Sequence, residues 1–500
     1  MNTVEKWGLF EVSLKGPSAG NPFTEQSVSA TFRSKNEIVT VDGFYDGDGV
    51  YKVRFMPSFT GDYVYETVGS FAEAESAGDF TVTEPTGNNH GPVRIANTYH
   101  FAYEDTTPYY SVGTTCYAWA HQPEEVHKQT LEELDKGYFN KMRFCVFPKH
   151  YIHNFRDPET FPYEGTPVDN SNLTVRKLLV FRRFSGNNWD FTRFNPEHFR
   201  RMERCIVELQ ERGIEADIIV MHPYDRWGFS VMNREQDDLY WNYVIARFSA
   251  YRNVWWSLAN EYDLMRAKKL EDWEHYADLL CKKDPYNHMR SIHNCIPFYD
   301  HTRPWITHCS LQRQDLYRHV EYTTDYRTRY QKPIVWDEIA YEGNIDMGWG
   351  NISGQELTRR FWEASMRGGY AGHGETFMNP EDILWWSHGG KLHGESPARI
   401  RFLHEILTQT PGLGLKQGPG AFDETVAVPD EMIPVTGYEI HYYGFGRPSF
   451  RDFVKPAGEN WRVEVIDTWN MTITDAGVHS GKFRIALPGH EYMAVRLTRV

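Results

Sequence analysis

The sequence predicts an α/β fold, a (β/α)8 TIM barrel flanked by an N-terminal β-sandwich and a small C-terminal β-domain. Three observations lead there. Between about Arg94 and Pro411, apolar β-branched runs alternate with amphipathic stretches, the pattern of βα units around a parallel sheet. Eight such runs fall within roughly three hundred residues, the count and size of a barrel. On either side, short alternating runs are separated by turn chemistry, which marks antiparallel β structure. A chain of 500 residues also exceeds what one hydrophobic core organises, so several domains are expected.

The N-terminal part, residues 1–92, carries strand-like runs at Ser27–Phe32, Val50–Phe55 and Tyr63–Val68. Asp46-Gly47-Asp48-Gly49 and Thr60-Gly61-Asp62 between them are hairpin or loop signals, and Thr86–Pro92 reads as a linker. The barrel is assigned to residues 93–411. Its eight strands are expected at Tyr109–Thr114, Lys141–Phe147, Ala216–His222, Val254–Asn260, Met289–His293, Trp305–His308, Pro333–Glu338 and Tyr370–Thr376. Helices intervene, as in Pro196–Arg212, where Phe199, Met202, Ile206 and Leu209 recur at helical spacing. A doubly wound open sheet would want a Gly-rich phosphate turn after an early strand, and Gly113-Thr114-Thr115-Cys116 is not one. Alternation returns in residues 412–500, at Tyr438–Tyr443, Trp461–Asp467, Phe483–Leu487 and Ala494–Leu497.

A formal charge of −15 argues against nucleic acid, whose phosphates demand a basic face, and against an anionic membrane surface. No run of about 18 apolar residues is present, so no membrane-spanning helix is expected. Residues Met1–Phe10 lack a basic segment followed by an apolar one, so no signal peptide is read there. Six cysteines without CxxC spacing suit reduced thiols in a cytoplasm, and no metal or other cofactor is expected. Aromatic residues make up 15% of the chain, which suits either a large aromatic core or ring faces that stack on sugars. Self-association into a homo-oligomer is left open.

In a barrel of this kind the C-terminal strand ends face the site. Those ends carry Arg143 on strand two, His222 on strand three, Asn260-Glu261 on strand four and His293 on strand five. His308 ends strand six, Trp336-Asp337-Glu338 ends strand seven, and His373 and Glu375 lie on strand eight. Scaffolding alone would place turn and cap residues there, so the convergence of ionisable groups points to a site. Strands four and seven stand on opposite sides of an eight-stranded mouth. Two glutamates reaching inward from them can flank one bond, as glycosidic cleavage with retention requires.

The run Trp255-Trp256-Ser257-Leu258-Ala259-Asn260-Glu261 resembles the strand-four Asn-Glu motif of glycoside hydrolase clan A. Pro333-Ile334-Val335-Trp336-Asp337-Glu338 is similar to that clan's strand-seven nucleophile segment. With Tyr110-Ser111-Val112-Gly113 opening the barrel and β-domains at both ends, the architecture resembles the apiosidase-like group of glycosidases. The resemblance implies Glu261 as acid/base, Glu338 as nucleophile, and Asn260 as the group that bonds the hydroxyl next to the anomeric carbon. It also implies Arg143 as the arginine that keeps the nucleophile ionised.

Adjacent strand residues point to opposite faces, so only one of Asp337 and Glu338 is expected to enter the mouth. Glu375 is a third inward candidate, suited to binding a sugar hydroxyl. His222, His293 and His308 are candidate hydroxyl binders, since imidazole both donates and accepts. They lack the His-x-His pairing of barrel zinc hydrolases. Trp385-Trp386, in a Gly-rich loop after strand eight, reads as a stacking platform and lid, with Trp119 and Trp349 as weaker candidates. The expected partner is a carbohydrate, a plant-type pentose or hexose unit taken from a chain end. Two other classes stay open, a non-catalytic carbohydrate-binding barrel and a metal-dependent hydrolase on the same fold.

Overall fold

The computed structural model describes residues 2–153, 156–169, 185–315, 317–381, 383–421, 423–431 and 437–500. At the N-terminus two sheets form a β-sandwich. One runs in the order Asn2–Glu5, Ser76–Thr83, Gly61–Gly69, Val28–Arg33 and Ile38–Asp42, and the other pairs Phe10–Lys15, Val50–Phe55 and Phe44–Tyr45. Alternate residues of both meet in an aromatic core. Phe10 stacks on Phe80 at 3.8 Å between ring centres, and Phe32 on Phe55 at 4.3 Å.

The barrel strands are β1 (Val112–Thr115), β2 (Lys141–Cys145), β3 (Glu215–Met221), β4 (Val254–Ala259), β5 (Arg290–Ser291), β6 (Cys309–Gln312), β7 (Ile334–Glu338) and β8 (Tyr370–His373). They form one parallel sheet in the order β5-β4-β3-β2-β1-β8-β7-β6. A parallel bridge between His293 and Ser310 then joins its two ends, β5 to β6. Among the described residues the helices around it are α1 (Glu124–Leu134), α2 (Pro196–Glu211), α3 (Arg234–Phe248), α4 (Leu270–Lys283), α5 (Thr323–Tyr330), α6 (Gly354–Met366), the short α7 (Trp385–His388) and α8 (Ser396–Leu407). Phe199, Met202, Ile206 and Leu209 of α2 are fully buried, as their spacing predicts. No helix of the described residues is long and apolar enough to cross a membrane.

Strand six differs from expectation. Trp305–His308 has β-like composition, but it follows Pro304 and is taken up by a turn, with Ile306 N–H bonded to the Arg303 carbonyl and Trp305 edge-on to Tyr299. The strand is instead the less apolar Cys309-Ser310-Leu311-Gln312, opened by a bond from Cys309 N–H to the Pro333 carbonyl. Pattern failed here because a strand of a closed barrel carries polar side chains in the interior. At strand eight the ladder ends with His373, and Glu375–Thr376 pairs separately with Glu342–Gly343.

The C-terminal part is a six-stranded antiparallel sheet, Leu415–Gln417, Thr425–Pro429, Tyr438–Tyr442, Met493–Arg499, Trp461–Asp467 and Thr472–His479, beside the pair Phe450–Val454 and Lys482–Ala486. Trp461, Val463, Ile485, Val495 and Leu497 fill its core. By contacts the chain divides into two compact units. One holds Met1–Val93, Tyr117–His127 and Arg143–Ile292, and the other holds the remainder. The β4 end belongs to the first and the β7 end to the second.

Candidate active site

At the end of β4, Asn260 N–H is still bonded to the Met221 carbonyl of β3, and the chain then turns at Glu261. Glu261 has φ +50° and ψ +56°, a left-handed conformation that costs a non-glycine residue about 1–2 kcal/mol. The turn starts a single 3-10 turn, Tyr262–Leu264, and leaves the Glu261 carboxylate accepting a hydrogen bond from the Tyr224 hydroxyl. Asn260 Oδ1 accepts from Tyr117 Oη at 3.3 Å and from Arg143 Nη2 at 3.5 Å. With its carbonyl oxygen so engaged, the Asn260 amide is oriented by its neighbours. Arg143, 1% exposed, also faces Asp217 at 3.5 Å. Lys149 sits between the two tyrosines, its ammonium 3.4 Å from the Tyr117 ring centre and 4.5 Å from that of Tyr224. Tyr117, Lys149 and Tyr224 were not singled out from the sequence. They lie in loops after β1, β2 and β3, where no periodicity speaks for them.

His222, just past β3, is buried, and its Nε2 is 3.1 Å from the Phe147 carbonyl. Burial pushes the ring down to about 3, so it is neutral, donates from Nε2 and keeps Nδ1 as a buried acceptor.

At the end of β7 the two adjacent carboxylates occupy different environments. Asp337 lies inside the barrel with its side chain 1% exposed, 2.7 Å from Lys141 Nζ and accepting from Ser310 Oγ at 2.5 Å. The Lys141 stem crosses β1 at Gly113, where an added Cβ would stand 3.2 Å from Lys141 Cε; that close approach accounts for the glycine. Glu338 is one residue on, with 15% of its side chain exposed and Oε1 3.6 Å from His293 Nε2. Strict alternation would send the two carboxylates to opposite faces. The β6–β7 register instead slips, pairing Ser310 with Val335 and then Gln312 with Glu338, so β7 holds one extra residue. That bulge sets the two carboxylates apart, Asp337 in the interior and Glu338 on the cavity side. Glu338 borders a cavity of about 290 Å³ shared with Gln312, Arg313, Tyr341 and Trp349. His293 is held by Ser310 Oγ, 3.0 Å from its Nδ1.

Residues 96–390, more than half of the chain, match the family described as "Apiosidase-like, catalytic domain". The chain belongs to the apiosidase-like family. Its flanks match two domains of unknown function, DUF5060 over residues 3–70 and DUF5605 over residues 430–498. A crystal structure from Bacteroides vulgatus, of a glycoside hydrolase candidate, is 34% identical to the apiosidase-like protein, with a TM-score of 0.91 and 100% of each chain covered. A family 5 glycoside hydrolase from the same organism is 14% identical over 82% of this chain and 94% of its own, with a TM-score of 0.62. A further structure, described as a glycoside hydrolase, is 14% identical over 82% of this chain and 97% of its own, with a TM-score of 0.58. These last two speak for the fold alone. No curated protein matches. The apiosidase-like protein is a glycoside hydrolase by family, on a (β/α)8 barrel.

Other predicted positions of the apiosidase-like protein have structural occupations. His308 precedes β6 and so stands at the end opposite the rim, buried, with its ring 5.9 Å from Phe101. Gln312 holds the rim position assigned to it. Trp385 is 1% exposed and donates its indole N–H to Thr114 Oγ1 at 2.8 Å; it belongs to the packing around β1. Trp119 is fully buried, stacked on His127 at 4.7 Å. Of the tryptophans considered, Trp349 borders the Glu338 cavity, with Trp386 5.0 Å from it in the same aromatic cluster. Glu375 accepts from the backbone N–H groups of His393 and Gly394 at 2.5 and 2.8 Å, so it ties down a loop. Burial pushes its carboxyl up to about 8. Among the described residues no three His, Cys, Asp or Glu side chains group as metal ligands.

Proposed function

We propose that the apiosidase-like protein is a retaining glycoside hydrolase that releases pentose or hexose units from the ends of plant-type oligosaccharides or glycosides by double displacement. The observation that carries the reading is the division of labour on β7. Asp337 is engaged by Lys141 and Ser310, while Glu338 beside it opens on a cavity. Glu338 attacks the anomeric carbon and forms a glycosyl ester, while Glu261 gives its proton to the departing oxygen. Ionised Glu261 then takes a proton from water, whose oxygen attacks the same carbon and frees Glu338. Asn260, oriented by Tyr117 and Arg143, turns its amide N–H groups to the hydroxyl beside that carbon. Six free cysteines suit action in a cytoplasm, on imported oligosaccharides.

Glu338→Gly assayed with an activated aryl glycoside tests this. Turnover should fall by on the order of 10⁵-fold, and azide should restore it, giving a glycosyl azide of inverted configuration. Unaltered turnover in the variant overturns the assignment.

A further inference from the structure

We infer that the groove between the β5–β6 crossing and α5 is a second sugar-binding subsite, so that the substrate is an oligosaccharide seated in two adjoining cavities. This rests on reading Glu338 as part of a glycosidase site. The groove encloses about 790 Å³, a size typical of ligand sites. Phe298 and Tyr299, with Tyr326 and Tyr330 of α5, line it. Its connection to the site is through one wall. Arg313, Gln314 and Asp315, directly after β6, border both this groove and the cavity that holds Glu338. A ligand reaching from one cavity into the other therefore passes the same three residues.

The lining matches a sugar. Phe298 is half-buried, set edge-on to Tyr326 at 5.2 Å, and Ile296 at the lip is 69% exposed. Apolar surface left open beside a cleft suits the C–H face of a pyranose or furanose ring. The polar groups supply donors more than acceptors. Asp315 accepts from the N–H groups of Tyr317 and Arg318, and Asp300 from Thr302, so both carboxylates are already engaged. Arg313 donates Nη1 to Tyr326 Oη at 2.6 Å, whereas its Nε is buried without a partner. Exposed Gln314 on the shared wall adds a side-chain amide that both donates and accepts, as a sugar hydroxyl requires.

The test compares tetrasaccharides of xylose, arabinose, mannose and glucose with the matching monosaccharide fluorides, whose small leaving group leaves the groove empty. For the sugar that is hydrolysed, Phe298→Ala should lower the ratio of tetrasaccharide to fluoride kcat/KM by about tenfold. Ile296→Ser, at an exposed position where folding is not at issue, should lower it in the same direction. Equal losses on both substrates, or none, overturn the subsite. If the wild-type protein hydrolyses no fluoride and no tetrasaccharide, the hydrolase reading falls and calorimetric titration decides the groove separately. Glu338→Gln protein should then bind a tetrasaccharide more tightly than its monosaccharide, and adding Phe298→Ala should remove the difference. Equal affinities, or no binding, overturn the subsite.

Discussion

At the end of β4 the glutamate itself bends the chain, whereas at the end of β7 the glutamate stays in the strand and an extra residue redirects it. Glu261 takes a left-handed backbone and is steadied by a tyrosine hydroxyl, among neighbours supplied by the loops after β1, β2 and β3. Glu338 ends its strand just past a register shift, with an interior ion pair directly behind it and a non-glycine positive φ two residues later at Ala340. The same side chain is thus delivered by local strain in one place and by an anchored bulge in the other. The two should fail differently: a strained residue is relieved by mutation, and an anchor is undone by it.

The largest effect should come from the anchor. Asp337→Asn removes the carboxylate charge that faces the buried Lys141 ammonium, and should cost about 3–5 kcal/mol of unfolding free energy in urea titrations. Joint replacement by Lys141→Met and Asp337→Leu should cost less than the single change, and a larger cost would mean that the pair stabilises the barrel outright. On the β4 side, Tyr224→Phe removes a hydrogen bond to the carboxylate. It should lower kcat/KM about tenfold, with the loss greater for poor leaving groups than for activated ones; equal loss for both would detach Tyr224 from the proton transfer. Glu261→Gly should abolish turnover of unactivated glycosides yet raise stability, by up to about 1 kcal/mol, because glycine tolerates the left-handed backbone. A fall in melting temperature would show that the strain is not held there.

A separate effect concerns pH, just after β8. Glu375, raised by burial from 4.5 to about 8, keeps its proton in the folded protein while the unfolded chain loses it. Stability should therefore be full below about 4.5 and decline as pH rises towards 8. Glu215, at the start of β3 and likewise raised by burial to about 8, adds to the same decline. Glu375→Gln should make the decline shallower without removing it, as read by denaturant titrations across that window; an unchanged slope would remove Glu375 from the account.

The alternation of strand and helix was legible because barrel strands and helices differ in period, and the eight strands lie close to where pattern puts them except for β6. Cys309-Ser310-Leu311-Gln312 was missed since its polar side chains serve the interior: Ser310 joins His293 to Asp337. Glu261 and Glu338 were marked by family resemblance, but nothing in their letters announces a left-handed turn or a bulge, both of which depend on neighbouring strands. Trp385 and Trp119 looked like sugar platforms because a tryptophan in a loop has the same sequence whether it faces ligand or core. Glu375 misled for a related reason, as its partners are backbone N–H groups that carry no side-chain signature.

One bridge, His293 to Ser310, shuts the sheet, and β5 beside it is only two residues long. That seam is short of ladder hydrogen bonds, so thermal opening of the ring should begin there. The residues forming it are the ones that touch Glu338 and bind Asp337. A ring that has not shut therefore leaves Glu338 without His293 beside it and Asp337 without the Ser310 hydroxyl at once.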